Sequence, residues 1–210
     1  MDVGYFFIGD TGLHVARHLA QEISNMHFIS LHKTARTEDS YRQLLALPSR
    51  LSPIDMRFTD QYYNEIPDYI ESPKGKVLFC STAEAQFGSL DVAACAQRIQ
   101  HYAHIMTKMY EPYDQLVFVM RPGQSTGELG IASCLDIAQK MHKQVTVVTT
   151  HGMLFEENMK TAVDAHLKMM KKMNVQLKVI DVPICEDRIL DTYNHLYVAM
   201  AKQTKVLSWK

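Results

Sequence analysis

Apolar and polar positions along this chain fall into two rhythms, short apolar runs and longer stretches with a helical period, and the two alternate almost throughout. Val3 to Ile8 is an apolar run of strand length, followed by Gly9-Asp10-Thr11-Gly12, a tight turn, and by a helix with Ala16, Leu19, Ala20 and Ile23 on one face. Residues 27–31 predict a second strand. The rhythm then breaks over residues 33–76, where Pro48, Pro53, Pro67 and Pro73 punctuate a polar, tyrosine-rich stretch with room for short helices. It resumes with a strand at 77–80, a long helix at 89–110, and a strand at 116–120 ended by Pro122-Gly123. Ile131, Cys134, Leu135 and Ala138 then fall at helical spacing, and a strand follows that ends near Thr149. Another strand spans 177–182. Residues 187–207 predict a last helix with Ile189, Tyr193, Leu196 and Met200 along one side. Strand and helix in alternation imply an α/β fold, a three-layer Rossmann-like arrangement with a mostly parallel sheet and helices on both faces. One domain over residues 1–210 is expected, with 33–76 an irregular insertion and a helix at the C-terminus; no repeat or linker divides the chain.

Composition narrows the partners without naming one. Lys+Arg of 22 against Asp+Glu of 23 gives a formal net charge of −1, so the global balance favours neither nucleic acid nor an anionic membrane. Cys80, Cys95, Cys134 and Cys185 are far apart in or beside apolar segments, which reads as reduced core thiols rather than a disulfide frame or a zinc site. No basic leader is present and no apolar run approaches the ~18 residues of a membrane span. The expectation is a soluble, cytoplasmic protein.

The stretch from Tyr113 to Lys160 holds the candidate chemistry. It reads strand, glycine-bearing loop, amphipathic helix, strand and a second loop with Phe155-Glu156-Glu157. A helix that opens after a Gly/Ser/Thr loop directs unpaired N–H groups and a positive dipole end at whatever lies there, and an anion is the natural occupant. The same loop also serves as a plain strand-to-helix connection, and Glu157 as a helix N-terminal acid. His14 and His18, and His101 and His104, have spacings that put two imidazoles on one side of a helix, which reads as solvent-facing or half-buried histidines before it reads as a metal site. Met169, Met170 and Met173 suit core or interface filling, and Lys168, Lys171 and Lys172 suit a solvated face or a partner surface. No nucleophile-base set stands out, and the Gly-x-x-x-x-Gly-Lys-Ser/Thr loop is absent.

These loops, in this order, resemble the nucleotide-binding domain shared by tubulin and FtsZ, most closely from Gly88 to Leu190. Gly123-Gln124-Ser125-Thr126-Gly127-Glu128-Leu129 occupies the place of that family's Gly-Gly-Gly-Thr-Gly-Thr/Ser-Gly phosphate loop. Val147-Val148-Thr149 leading into Phe155-Glu156-Glu157-Asn158-Met159-Lys160 is similar to the FtsZ strand and its Phe-Glu-Gly-x-x-Arg continuation. Glu186-Asp187-Arg188-Ile189-Leu190 is similar to Pro-Asn-Asp-Arg-Leu-Leu. Gly9-Asp10-Thr11-Gly12 is similar to the Gly-x-x-Gly turn that opens tubulin, and Phe87-Gly88-Ser89-Leu90-Asp91 sits where FtsZ has Gly-Asn-Pro-Glu. The resemblance implies a guanine nucleotide, GTP or GDP with Mg, held by Gly9, Asp10, Thr11, Gly12, Gly88, Gly123, Gln124, Ser125, Thr126, Gly127, Phe155, Glu156 and Lys160. It also implies self-association or a protein partner.

The departures point the other way. Gln124, Ser125 and Leu129 replace loop glycines that let backbone amides close on phosphate, and Glu128 adds a carboxylate that opposes it unless a metal ion intervenes. Leu13 and Thr204 stand where the family has asparagine, and Lys160 keeps the charge of the family's arginine without its fork. The chain ends near where that family's central helix leads to a second domain, so the acidic loop that completes hydrolysis is expected to be missing; a GTPase here needs a partner chain. Three readings stay open. The first is an assembly or partner-binding module with degraded or absent GTP binding and no autonomous GTPase activity, binding no cofactor. The second is a weak GTP/GDP-binding protein that controls assembly of a filament or complex, and the third a Rossmann-like dinucleotide-binding enzyme.

Overall fold

The structure is a computed structural model that describes residues 2–30, 33–50, 66–80, 97, 99–122, 127–151, 157–182 and 188–207, without the side chains of 127–130, 157–159 and 162. The elements are β1 (Val3–Ile8), α1 (Gly9–Arg17), β2 (Met26–Ser30), α2 (Ala35–Leu44), β3 (Tyr69–Ser72), β4 (Gly75–Phe79), α3 (Ala103–Tyr110), β5 (Gln115–Val119), α4 (Gly127–Lys140), β6 (Gln144–Thr150), α5 (Glu157–Lys172), β7 (Gln176–Ile180) and α6 (Ile189–Leu207). They build a seven-stranded sheet in the order β3-β4-β2-β1-β5-β6-β7, parallel except for β3 on β4.

β1 reads as an almost unbroken apolar run because both of its faces are covered. Phe6 and Ile8 join a core with Leu116 and Phe118 of β5, Met106 of α3, Ile131, Cys134, Leu135 and Ala138 of α4, and Val163, Leu167 and Met170 of α5. Tyr5 and Phe7 point the opposite way, into a core with Leu13 of α1, Tyr41 of α2, and Leu196 and Met200 of α6. The chain steps from β1 out to β2 and β4, returns past β2 and β1 to β5, and then continues in that direction to β6 and β7. Right-handed crossovers travelling in opposite directions put their helices on opposite faces. The two cores divide in that way, and α6 comes back to pack on α1.

Residues 33–76 contain more order than their sequence suggests. Thr34 caps α2 by accepting a hydrogen bond from the Thr37 N–H at 3.1 Å. No apolar period reveals this helix because two of its buried positions are Glu38 and Asp39. Glu38 is compensated by Arg42 at 2.8 Å, one turn on, and by Arg50 at 3.4 Å. β3 pairs antiparallel with β4 across the Gly75 turn.

Two further expectations change at their edges. α1 ends at Arg17, although Leu19 and Ile23 stay buried in the turns beyond it. Leu196 and Met200 of α6 are buried as expected, whereas Ile189 is 51% exposed. Of the long helix read at 89–110, residues 103–110 form α3, and 89–96 lie outside the described residues. Cys80 and Cys134 are free and buried, and burial pushes the Cys134 thiol up to about 12, so it is inert as a nucleophile. No helix among the described residues is long and apolar enough to cross a membrane.

Candidate functional site

The reversal of chain direction sets β1 beside β5, with Phe7 level with Val119. In an open α/β sheet the crevice beyond the C-terminal ends of such a pair is where ligands bind. α1 leaves β1 there at Gly9, and α4 begins there after β5 at Gly127. Two helix N-termini, each with orphan N–H groups and a positive dipole end, open at one place.

Gly9, Asp10, Thr11 and Gly12 form the first turn of α1 rather than a separate turn before it. Gly9 has φ +64°, in the region glycine occupies without strain. A Cβ on Gly12 would lie 2.7 Å from the carbonyl carbon of Phe7, so a bare backbone here lets α1 lie close on β1. Thr11 is buried and Asp10 is exposed. Gly127 is the first residue of α4, which makes Glu128 the second. Asp10 is an acid in the first turn of α1, where its charge complements the dipole. Lys160 is exposed on α5. Gly88, Gly123, Gln124, Ser125, Thr126, Phe155 and Glu156 lie outside the described residues.

The structure adds residues that sequence reasoning passed over. Arg121, two residues beyond β5, is buried, and its guanidinium carbon lies 5.1 Å from the ring centroid of Tyr193 in the first turns of α6. The Tyr193 and Tyr197 rings stack at 6.2 Å, and Tyr197 stacks on His14 of α1 at 5.0 Å and 8°. A run of four stacked groups, Arg121, Tyr193, Tyr197 and His14, thus joins the end of β5 to α6 and α1. Burial is the main cause that holds the His14 imidazole below its usual pKa, with Arg17 adding to it, which favours the neutral, stacking form. His14 meets Tyr197 in this arrangement instead of acting in a pair with His18. The signal for Arg121 was its position, a cation lodged between an apolar strand and Pro122.

Farther along the same edge, Lys33, three residues after β2, makes a 2.5 Å ion pair with Asp68, and the Tyr102 hydroxyl donates to the other carboxylate oxygen. A buried cation follows β2 where a dinucleotide site has a ribose-binding acid, so this strand end does not suit the third reading. At the end of β6, the Thr149 hydroxyl is buried with no hydrogen-bond partner among the described residues. Among the described residues no group of three His, Cys, Asp or Glu side chains is placed to hold a metal ion.

No family profile and no curated protein matches the chain. Solved structures do. An FtsZ dimer from M. jannaschii superposes with a TM-score of 0.65 at 13% identity, covering 98% of this chain and 54% of that one. CetZ from Methanosaeta thermophila gives 0.62 at 11% identity, covering 99% and 54%. TubZ from Bacteriophage PhiKZ gives 0.57 at 10%, covering 96% and 60%. The chain spans little more than half the length of these proteins, and its fold is that of the tubulin/FtsZ-like nucleotide-binding domain.

Proposed function

We propose that this chain is a divergent tubulin/FtsZ-like module for assembly or partner binding, with degraded or absent GTP binding and no autonomous GTPase activity. The observation that carries the reading is the exposed Asp10 in the first turn of α1, at a helix N-terminus that opens on the crevice, and the sequence adds Glu128 as the second residue of α4. A triphosphate brought there meets two like charges where the fold otherwise offers two positive dipole ends. The rings nearest that edge are also engaged by the chain's own Arg121 and His14. What α6 does present is apolar surface: Ile189 is 51% and Leu190 78% exposed at its start, with Val206 also exposed near its end. Leucine and isoleucine turned outward side by side suit a protein contact, and one of the similar structures is itself a dimer.

Calorimetry with GTP and GDP, with and without magnesium, tests the nucleotide half. No saturable heat is expected at millimolar nucleotide, and micromolar binding would overturn it. Replacing the two acids, Asp10→Asn with Glu128→Gln, is expected to raise GTP affinity by about tenfold or more through removal of like charge; an unchanged affinity would mean that these acids do not guard the site. Sedimentation tests the assembly half: self-association that Leu190→Asp weakens is expected, and a monomer with no partner at any concentration would sink it.

The second reading, weak GTP or GDP binding that controls assembly, draws on the Gly9 to Gly12 geometry and on the buried Thr149 hydroxyl, a donor at the same end of the sheet with no partner among the described residues. Magnesium-dependent heat that is lost in Thr149→Val would favour it.

A further inference from the structure

We propose that the free edge of β7, bordered by lysines of α5, accepts an extended acidic segment of another protein as an added strand. β7 ends the sheet, so among the described residues only one side of its backbone is paired, to β6. Alternate N–H and C=O groups on the other side remain available for a further strand. Leu177, Lys178, Val179 and Ile180 are half-buried, in contrast to the fully covered strands at the centre.

Charge decides which strand this edge takes. α5 packs on the sheet through Val163, Leu167 and Met170, and the carbonyl of Met173 just beyond it accepts a hydrogen bond from Gln139 of α4. Its methionine flank, Met169 and Met173, is thereby turned toward α4. Helical spacing sends Lys160, Asp164, Lys168 and Lys171 down the opposite flank, toward the margin of the sheet, and all four are exposed. Lys172 adjoins them, and Lys178 stands at the centre of β7 on the face away from α5, since Leu177 and Val179 on either side of it pack on the core that α5 covers. Asp164 and Asp181 are the exposed acids set against these five lysines, and none of the five is held in an ion pair among the described residues. A second copy is a poor occupant, because antiparallel pairing of β7 with itself sets the two Lys178 side chains near one another. An acidic strand reverses that sign. Its backbone supplies affinity through the ladder, and its carboxylates supply selection through the α5 lysines on one face of the sheet or Lys178 on the other. This edge is separate from the α6 surface, so its test does not depend on the outcome there.

The full chain is titrated with fluorescein-labelled Glu-Val-Glu-Val-Glu-Val, with Lys-Val-Lys-Val-Lys-Val, and with the acidic peptide N-methylated at alternate residues. Anisotropy is expected to show the acidic peptide binding at least about tenfold tighter than the basic one, weakening as salt rises. N-methylation is expected to abolish it, and amide exchange across β7 is expected to slow in the complex. Lys178→Glu is expected to shift the preference toward the basic peptide, a gain that an unfolded variant cannot produce. Lys160→Glu with Lys171→Glu, both on exposed positions, repeats that test without touching the strand. No acidic binding, or undiminished binding of the N-methylated peptide, overturns the proposal. Binding to phosphatidylserine vesicles without binding to the peptide overturns it as well, by assigning the lysines to a membrane surface.

Discussion

Thr146 and Thr149 lie on one strand, β6, within one turn of the chain's pleat, yet they live in different chemistry. Thr146, near the N-terminal end of the sheet, accepts from the Gln115 amide at 3.1 Å and donates to the Gln176 carbonyl oxygen at 3.2 Å. Thr149, near the C-terminal end, is equally buried and its hydroxyl has no partner among the described residues. The difference recurs at other points of each edge, although Lys33, Asp68 and Tyr102 close on one another at the C-terminal one. At the N-terminal edge polar groups close on one another: His27 meets the Tyr113 hydroxyl at 2.6 Å, and Lys143 donates to the carbonyls of Tyr113 at 2.6 Å and Glu111 at 3.1 Å. At the C-terminal edge helix N-termini open on a crevice and cations lie over rings. One edge spends its polar groups on stability, and the other keeps them within reach of something else.

The largest effect that tests this contrast belongs to the closed edge. Burial drives the His27 imidazole down to about 4, with Lys76 adding to the shift, against 6.5 in an unfolded chain. The unfolded state takes up the proton first as pH falls below 6.5, so stability is lost between about 6.5 and about 4, by about 3 kcal/mol in all. Thermal unfolding followed across that range should show the loss, and His27→Gln should flatten it; a wild-type profile already flat there would mean that His27 is solvated. At the open edge, Gly12→Ala drives a methyl against the Phe7 backbone and is expected to cost about 2–3 kcal/mol by denaturant unfolding. A neutral result would mean that α1 does not lie so close on β1.

Smaller effects divide the edges more finely. Arg121→Met keeps the bulk of the side chain and removes the contact with Tyr193, at an expected cost of about 1–2 kcal/mol. The finest comparison is between the two threonines. Thr146→Val strands two amide groups and is expected to lose about 1 kcal/mol, whereas Thr149→Val deletes an unpaired hydroxyl and is expected to gain a few tenths to about 1 kcal/mol. Equal signs for the two would erase the distinction between the edges.

Local rules made much of this legible. The alternation of apolar strands and amphipathic helices gave the layers, and Ile131, Cys134, Leu135 and Ala138 of α4 are buried as their spacing predicts. Gly9 and Gly12 were readable as the junction of strand and helix, since a glycine pair directly after an apolar strand has few other uses, although they fall inside the first turn of α1 and not in a turn before it. α2 was hidden because Glu38 and Asp39 are buried and the neutralising arginines of Glu38 lie at and beyond the helix's end, a compensation that no apolar period records. Ile189 was misplaced because helical spacing names a face without saying where packing begins.

By itself, then, the sequence determined the class of fold and the order of its loops, because strand length, helix period and turn chemistry act over a few neighbouring residues. Only the tertiary structure brought Arg121, Tyr193, Tyr197 and His14 into one stack, started α1 and α4 at the same crevice, and left one side of β7 unpaired among the described residues, beside the lysines of α5. These facts depend on the order in which strands pair and on where the chain reverses. Spacing along the sequence carries no record of either.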